Sequence, residues 1–241
     1  MAVPTKKLHL AAQRKFFDRL VNRHVIVINP AATVRAERYS VVEGKTPEIK
    51  PDQVAKLLTS IDVSTKIGLR DRAVLAVLIY TAARVGAVAK LTLKSVKHDG
   101  SQYTLRFSEK GGKSREIPVR HDLELALLAY KEAAAITEGS LFRTAAGKME
   151  KLTENPMTGI DICRMMKRRL KAAGLPGHYS PHPFRVATVT DLLEQNVELE
   201  SAQDLAGHAD PRTTRLYDRR RRKATRNIVE RISLKGLSRQ D

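Results

Sequence analysis

Residues 69–83 (LRDRAVLAVLIYTAA) constrain the fold of this chain more than any other stretch. Their apolar side chains recur at helical spacing but cover too many sides for a surface helix, so they predict a helix enclosed by other elements. Helical patterns with one apolar face stand on both sides of it. Leu8, Ala11, Ala12, Phe16, Phe17, Leu20 and Val21 mark a first helix, which Asn29-Pro30 closes by turn chemistry. Pro51 opens a second through Val54, Leu57 and Leu58, with Asp52 near its positive end. Further helical patterns cover 123–135, 157–173 (stopping at Gly174), 183–195, 199–206, 211–217 and about 224–232.

Between these blocks the period shortens to two. Alternating runs occupy 91–96, 102–107 and 114–119. The last two flank Glu109-Lys110-Gly111-Gly112-Lys113, a Gly-Gly hairpin signal. The expected fold is therefore mainly α with a small antiparallel β-sheet of three strands. Residues 41–50, within a stretch of Gly, Pro and charge, read as a linker. They divide a short helical segment, 1–40, from a larger domain, 51–241.

Lys and Arg number 44 against 26 Asp and Glu, a formal net charge of +18, which calls for a polyanionic partner. Nucleic acid comes first on that ground and an anionic membrane surface second. The excess is clustered: ten cations against four acids in 1–50, and eleven against four in 206–241, including Arg219 to Lys223. A third cluster, Arg164, Lys167, Arg168, Arg169 and Lys171, lies at helical spacing. One such cluster reads equally well as a solvated helix face. Three together favour a groove for the backbone of double-stranded DNA. Aromatic residues make up only 5%, with no Trp, which argues against binding single strands by stacking. The single cysteine, Cys163, excludes an intrachain disulfide and a cysteine-rich zinc site. No apolar run reaches 18 residues, so no membrane span is expected and the setting reads as cytoplasmic, next to the nucleoid.

Six side chains invite a chemical reading, each with a plainer one beside it. Arg84 at the end of the apolar helix serves equally as a partner for a helix dipole. Lys110 beside two glycines is, alone, an ordinary hairpin-tip lysine. His182, between Pro181 and Pro183, and Arg185 one turn later fit a hydrogen-bonded helix start with a surface cation. His208 after Gly207 fits a helix end, and Tyr217 fits a core position.

In combination the six point elsewhere. His182-Pro183-Phe184-Arg185, then Ala206-Gly207-His208, then Tyr217 nine residues after the histidine, resemble the tyrosine recombinase (phage integrase) family. Thr81-Ala82-Ala83-Arg84 and the 109–113 hairpin fall in the order that family requires, and the similarity spans about 51–232. Residues 16–31 resemble the last part of its core-binding domain, of which the first 45 residues or so would cover only the final helices.

The resemblance implies a site-specific recombinase. Tyr217 would attack a phosphodiester and form a covalent 3′-phosphotyrosine, with His182 as base, His208 as donor to the phosphate and Lys110 as acid for the leaving 5′ oxygen. Arg84 and Arg185 would hold the non-bridging oxygens, since guanidiniums are planar, permanent cations. No metal and no other cofactor are expected, because arginines would carry the charge and the bond energy would stay in the phosphotyrosine. Lys113, Arg115, Arg164, Lys167, Arg168, Arg212 and Arg215 are the expected DNA-backbone contacts. The implied partners are duplex DNA and further copies of the chain, as a tetrameric synapse of paired dimers. Where family members often carry Gly-x-Arg and an acid three residues on, this chain has Ala82-Ala83-Arg84 and Ala87. A catalytically silent DNA-binding remnant and a type IB topoisomerase-like nicking-closing activity fit the same residues.

Overall fold

The structure is a computed structural model that describes residues 1–38, 49–108, 114–146, 151–208 and 210–217. Most of the linker expectation, the 109–113 hairpin tip, the Arg219 to Lys223 run and the 224–232 helix lie outside the described residues. The backbone falls into two compact units, Met1–Gly44 and Lys45–Asp241.

The first unit contains α1 (Val3–Asn22), with a proline in its first turn, where the missing N–H costs no hydrogen bond. His24, with φ of 56°, turns the chain back along the helix. There Arg14 donates to the carbonyls of Ala31 and Val34, and the Asn29 amide donates to Asp18 at 2.6 Å. None of the residues of α1 is buried, and Leu8, Phe16, Val27 and Ile28 stand exposed.

The second unit is built around α3 (Lys66–Thr81), the enclosed helix that 69–83 predicts. Thr65 caps its start by accepting from the Gly68 N–H at 3.0 Å. Ala73, Val74, Leu75, Ala76, Val77 and Leu78 are all buried, so the helix has no solvent face along that run. Around it lie α2 (Pro51–Thr59), α5 (His121–Ala133), α6 (Gly159–Ala172) and α7 (His182–Glu194). Thr158 and Asp161 form a capping box at the start of α6, and Gly174, at φ of 66°, ends it.

The three-stranded sheet has the order β1 (Val96–His98), β2 (Tyr103–Ser108), β3 (Ser114–Pro118), antiparallel throughout. Its first strand is displaced from the expected 91–96. Thr92 and Ser95 exchange a capping box that winds Leu93–Ser95 into a 3₁₀ turn, so pairing begins only at Val96. A second sheet, β4 (Arg143–Ala145) with β5 (Leu152–Pro156), has no counterpart in the alternation pattern. Both strands are short and half exposed, so neither carries a buried face for a period of two to mark. Among the described residues no helix is long and apolar enough to cross a membrane.

A buried ionic cluster ties α3 to α6 and β4. Asp71, 1% exposed, accepts from Arg70 Nε and Nη2 at 2.9 and 2.6 Å and from Arg169 Nε and Nη2 at 2.8 Å each. Arg70, itself 2% exposed, also donates from Nη1 to the Arg143 carbonyl at 2.9 Å. Removing the one carboxylate strands two guanidiniums, one of them wholly buried. Asp71→Ala should therefore lose about 3–5 kcal/mol of stability, measured as a lowered urea midpoint. A midpoint within experimental error of the parent's would contradict that account.

Candidate active site

The C-terminal end of α3 begins the site. Ala82 closes that helix in the left-handed region, φ 48° and ψ 24°, a conformation that costs an L residue about 1–2 kcal/mol. The turn aims the Ala82 carbonyl at Arg185, whose Nη1 donates to it at 2.5 Å. It also carries Arg84 out of the helix. Arg84 is thus not the last residue of the apolar helix but the N-cap of the four-residue α4 (Val85–Val88). Its exposed guanidinium donates to the Gly207 carbonyl from Nη1 and Nη2, at 3.5 and 3.4 Å. Gly207 ends α8 (Leu199–Ala206) at φ of 62°, so Arg84 lies at the negative end of a helix dipole. That carbonyl meets Arg84 in a chain whose Ala87 offers no carboxylate.

His182 is the first residue of α7 and Arg185 stands one turn on, a spacing that puts both on one face. His182 is exposed, whereas Arg185 is only 3% exposed. The turn at Gly207 returns the chain on α8, where the His208 N–H donates to the Gln203 carbonyl at 3.1 Å and Gln203 Nε2 donates back to the His208 carbonyl at 3.0 Å. The short α9 (Pro211–Arg215), capped by the Asp210 side chain, then delivers Tyr217. Thr190 Oγ1 of α7 donates to the Tyr217 carbonyl at 3.3 Å. The Tyr217 ring packs in a small core with Ala82, Val186, Val189, Leu193, Ala202 and Ala206, so its plainer reading as a core residue holds for the ring. Its hydroxyl faces elsewhere.

Arg84, His182, Arg185, His208 and Tyr217 line one cleft of about 330 Å³, together with Ala83 and Thr213. Tyr217 Oη lies 3.0 Å from His182 Nε2. Desolvation at the cleft wall, then Arg185 and Arg84, lower the pKa of His182, so its ring is neutral near pH 7 and can accept. Burial raises the pKa of Tyr217, against the pull of the same two arginines. The phenol thus holds its proton, which it can donate to Nε2 in the tautomer that leaves this nitrogen unprotonated. A pair of this kind can pass the proton to the ring as the oxygen attacks an electrophile.

His208 is engaged on both sides of its ring. Arg185 Nε donates to its Nε2 at 3.2 Å, and its Nδ1 lies 2.8 Å from Thr214 Oγ1. With both edges of its ring engaged, His208 lines the cleft beside Arg185 and Tyr217. Burial first, then Arg185 and Arg84, push its pKa down to about 3. A histidine held neutral in the fold, but of ordinary pKa near 6.5 when unfolded, takes up a proton preferentially in the unfolded chain. Its contribution is complete above about pH 6.5 and is lost as pH falls toward 3. Thermal midpoints should drop across that window, and His208→Gln should flatten the drop. An equal slope in both proteins would contradict it.

The other expected site residues are scattered. Arg115, on β3, sits 5.6 Å from the Phe107 ring centre, and its charge is among those that lower the pKa of His208. Arg164, Lys167 and Arg168 are exposed on α6 and line a second cleft of about 570 Å³ with Arg70, Thr144 and Asp161. Arg212 and Arg215 are exposed on α9. Lys110 and Lys113 lie outside the described residues. Among the described residues, no three His, Cys, Asp or Glu side chains are grouped as a metal ion requires. Thr214, and the carbonyls of Ala82 and Gly207, were not expected in the site. Thr214 stands in the sequence motif beside Thr213, but the carbonyls belong to every residue and leave no mark in a sequence.

The model of the phage integrase family matches residues 47–223. Tyrosine recombinase XerD of Listeria innocua is 30% identical over 213 residues, which cover 87% of this chain and 69% of that protein. Among solved structures, XerH recombinase bound to a difH substrate before cleavage superposes with a TM-score of 0.66 at 20% identity, covering 95% of this chain and 65% of that one. A lambda integrase tetramer bound to a Holliday junction gives 0.60 at 21%, covering 85% and 58%. At these identities the two structures share the fold. The chain spans about two thirds of the length of such relatives.

Proposed function

We propose that this chain, which belongs to the phage integrase family, is a site-specific recombinase that cuts and rejoins duplex DNA through a covalent 3′-phosphotyrosine on Tyr217. The observation that carries this reading is the 3.0 Å pair between Tyr217 Oη and His182 Nε2, in a cleft that two arginines share. In the first step Tyr217 Oη attacks the phosphorus, its proton passes to His182 Nε2, and the bond to the 5′ oxygen breaks. The leaving oxygen takes a proton from Lys110, a role that rests on the sequence motif alone. In the second step a 5′ hydroxyl from the same or a partner strand attacks the phosphotyrosine and releases the phenol. One ester bond is exchanged for another each time, so no nucleotide is spent.

Charge builds on the non-bridging oxygens as the phosphorus becomes five-coordinate. Arg84 and Arg185 answer it with fixed N–H donors that need little rearrangement, which is worth most where water is excluded. The exposed cations of α6 and α9 would hold the DNA backbone on either side without reading its sequence. The XerH and lambda integrase structures are complexes with DNA, the second as a tetramer. The same partners, duplex DNA and further copies of the chain, are proposed here.

The deciding experiment uses a duplex selected on the protein from a randomised pool, nicked next to its centre so that cleavage is trapped. The wild-type chain should leave a protein–DNA adduct that survives SDS. Binding without an adduct would overturn the enzyme reading in favour of a silent DNA-binding module. Relaxation of any supercoiled plasmid, without site preference, would overturn the recombinase assignment in favour of a topoisomerase-like one.

A further inference from the structure

We propose that the second cleft, between α6 and β4, is a phosphate-binding site with the buried Arg70 as its floor. Only the identity of DNA as one source of that phosphate rests on the recombinase reading.

Arg70 is 2% exposed yet lines this cleft of about 570 Å³. A guanidinium has five N–H groups. Nε and one N–H of Nη2 donate to the Asp71 carboxylate at 2.9 and 2.6 Å, and one N–H of Nη1 donates to the Arg143 carbonyl at 2.9 Å. Two N–H groups are left, one on each terminal nitrogen, with no acceptor among the described residues. A buried donor left without an acceptor costs free energy, and two terminal N–H groups of one guanidinium can meet two oxygens of one phosphate. Asp71 and the Arg143 carbonyl hold the fork, so its direction is set before a ligand arrives.

The wall of the cleft adds charge. Arg164, Lys167 and Arg168 stand at i, i+3 and i+4, which brings all three to one face of α6. Four cations thus converge on one concavity, a crowding of like charge that an anion relieves. The one carboxylate on the lining, Asp161, accepts from the Thr158 N–H and hydroxyl at 2.9 and 2.7 Å, at the start of the helix. Exposed cations alone describe a solvated helix face. The buried, partly satisfied guanidinium beneath them is what marks a site.

The cleft also lies within reach of the first one. Gly159, the first residue of α6, packs against Val85, which lines the catalytic cleft. At 1.5 Å per residue, Arg164 to Arg168 stand about 8–14 Å farther along the helix. The major groove of B-DNA is about 12 Å wide, so a duplex cut in the first cleft brings other backbone phosphates near the second. A free phosphorylated small molecule would meet the same donors.

Two binding measurements on the full chain test the site and tell these sources apart. In the first, inorganic pyrophosphate is titrated calorimetrically into the chain without DNA. Wild type and Arg185→Ala should bind it with a dissociation constant of about 0.1 mM, and the triple variant Arg164→Ala, Lys167→Ala, Arg168→Ala at least about tenfold more weakly. Arg70→Lys keeps a charge for Asp71 but loses the fork, and should weaken binding by about 3–10-fold. In the second, each phosphate of the selected duplex is replaced in turn by a neutral methylphosphonate. A linkage away from the nick that costs wild type about 3–10-fold in affinity, and the triple variant nothing, identifies the duplex as the source. Pyrophosphate binding that the triple variant loses, with no such linkage, identifies a free phosphate compound. Wild type and triple variant alike in both measurements overturn the site. An Arg70→Lys variant that matches wild type in both overturns the floor. Should that variant not fold, the Nε–H resonance of Arg70 in wild type decides: it shifts on addition of pyrophosphate or duplex, or Arg70 is not the floor. If no duplex binds at all, the recombinase reading falls, and the pyrophosphate titration alone decides on the cleft.

Discussion

Tyr217→Phe will bind its duplex as the parent does and leave no adduct that survives SDS. The substitution removes one oxygen. The ring keeps its place in the core beside Val186, Val189 and Leu193, and its contacts to the His182 and His208 rings remain. What is lost structurally is the hydrogen bond to His182, worth about 1 kcal/mol, too little to unfold the domain. What is lost chemically is the nucleophile, so cleavage should fall by at least about 10⁴-fold, as deletions of covalent nucleophiles do. Gel shift and adduct formation on the same nicked duplex separate the two. An adduct that persists in the variant would mean that another side chain attacks.

Arg185→Ala should slow adduct formation by about 10²–10³-fold, while the dissociation constant for DNA changes only a few-fold. The asymmetry follows from where the charge appears. A resting phosphodiester already carries its single negative charge and is bound by many cations, whereas the extra charge of the transition state lies inside the cleft. Arg185→Lys should recover little. An ammonium has neither the geometry to meet His208 Nε2 and the Ala82 carbonyl together nor the fork to span two phosphate oxygens. The alanine variant also leaves His208 Nε2 without its buried donor, so its folding should be checked by circular dichroism first. Equal losses in binding and cleavage would show that Arg185 holds the ground state as tightly as the transition state.

Much of the fold is legible in the sequence because its signals are local. The enclosed α3 shows itself in a run of apolar residues with no polar face, and α6 in Thr158, Asp161 and Gly174 at its ends. Where the structure departs from expectation, a local pattern met something it does not record. Alternation at 91–96 suggested a strand, but the side-chain exchange of Thr92 and Ser95 wound it into a 3₁₀ turn. The β4–β5 pair leaves no alternation in the sequence, because its residues are half exposed and show no apolar face. Arg84 was expected at a helix end and is a helix start, because Ala82 takes a backbone conformation that alanine seldom adopts.

The site divides along the same line. The residue types and their order, from Arg84 to Tyr217, were enough to identify the family and the chemistry that family implies. They said nothing about proton positions, because these depend on distances between groups far apart in sequence. The His208 ring meets Arg185 of α7 at one edge and Thr214 of α9 at the other. The carbonyls that hold the two arginines lie 123 residues away for Arg84 and 103 for Arg185. By itself, then, the sequence determined that an arginine, histidine and tyrosine set would be present on a basic helical scaffold. Only the tertiary structure decided which atom donates, which accepts and which arginine is buried, because hydrogen bonds and desolvation act over a few ångströms of space, whatever the distance along the chain.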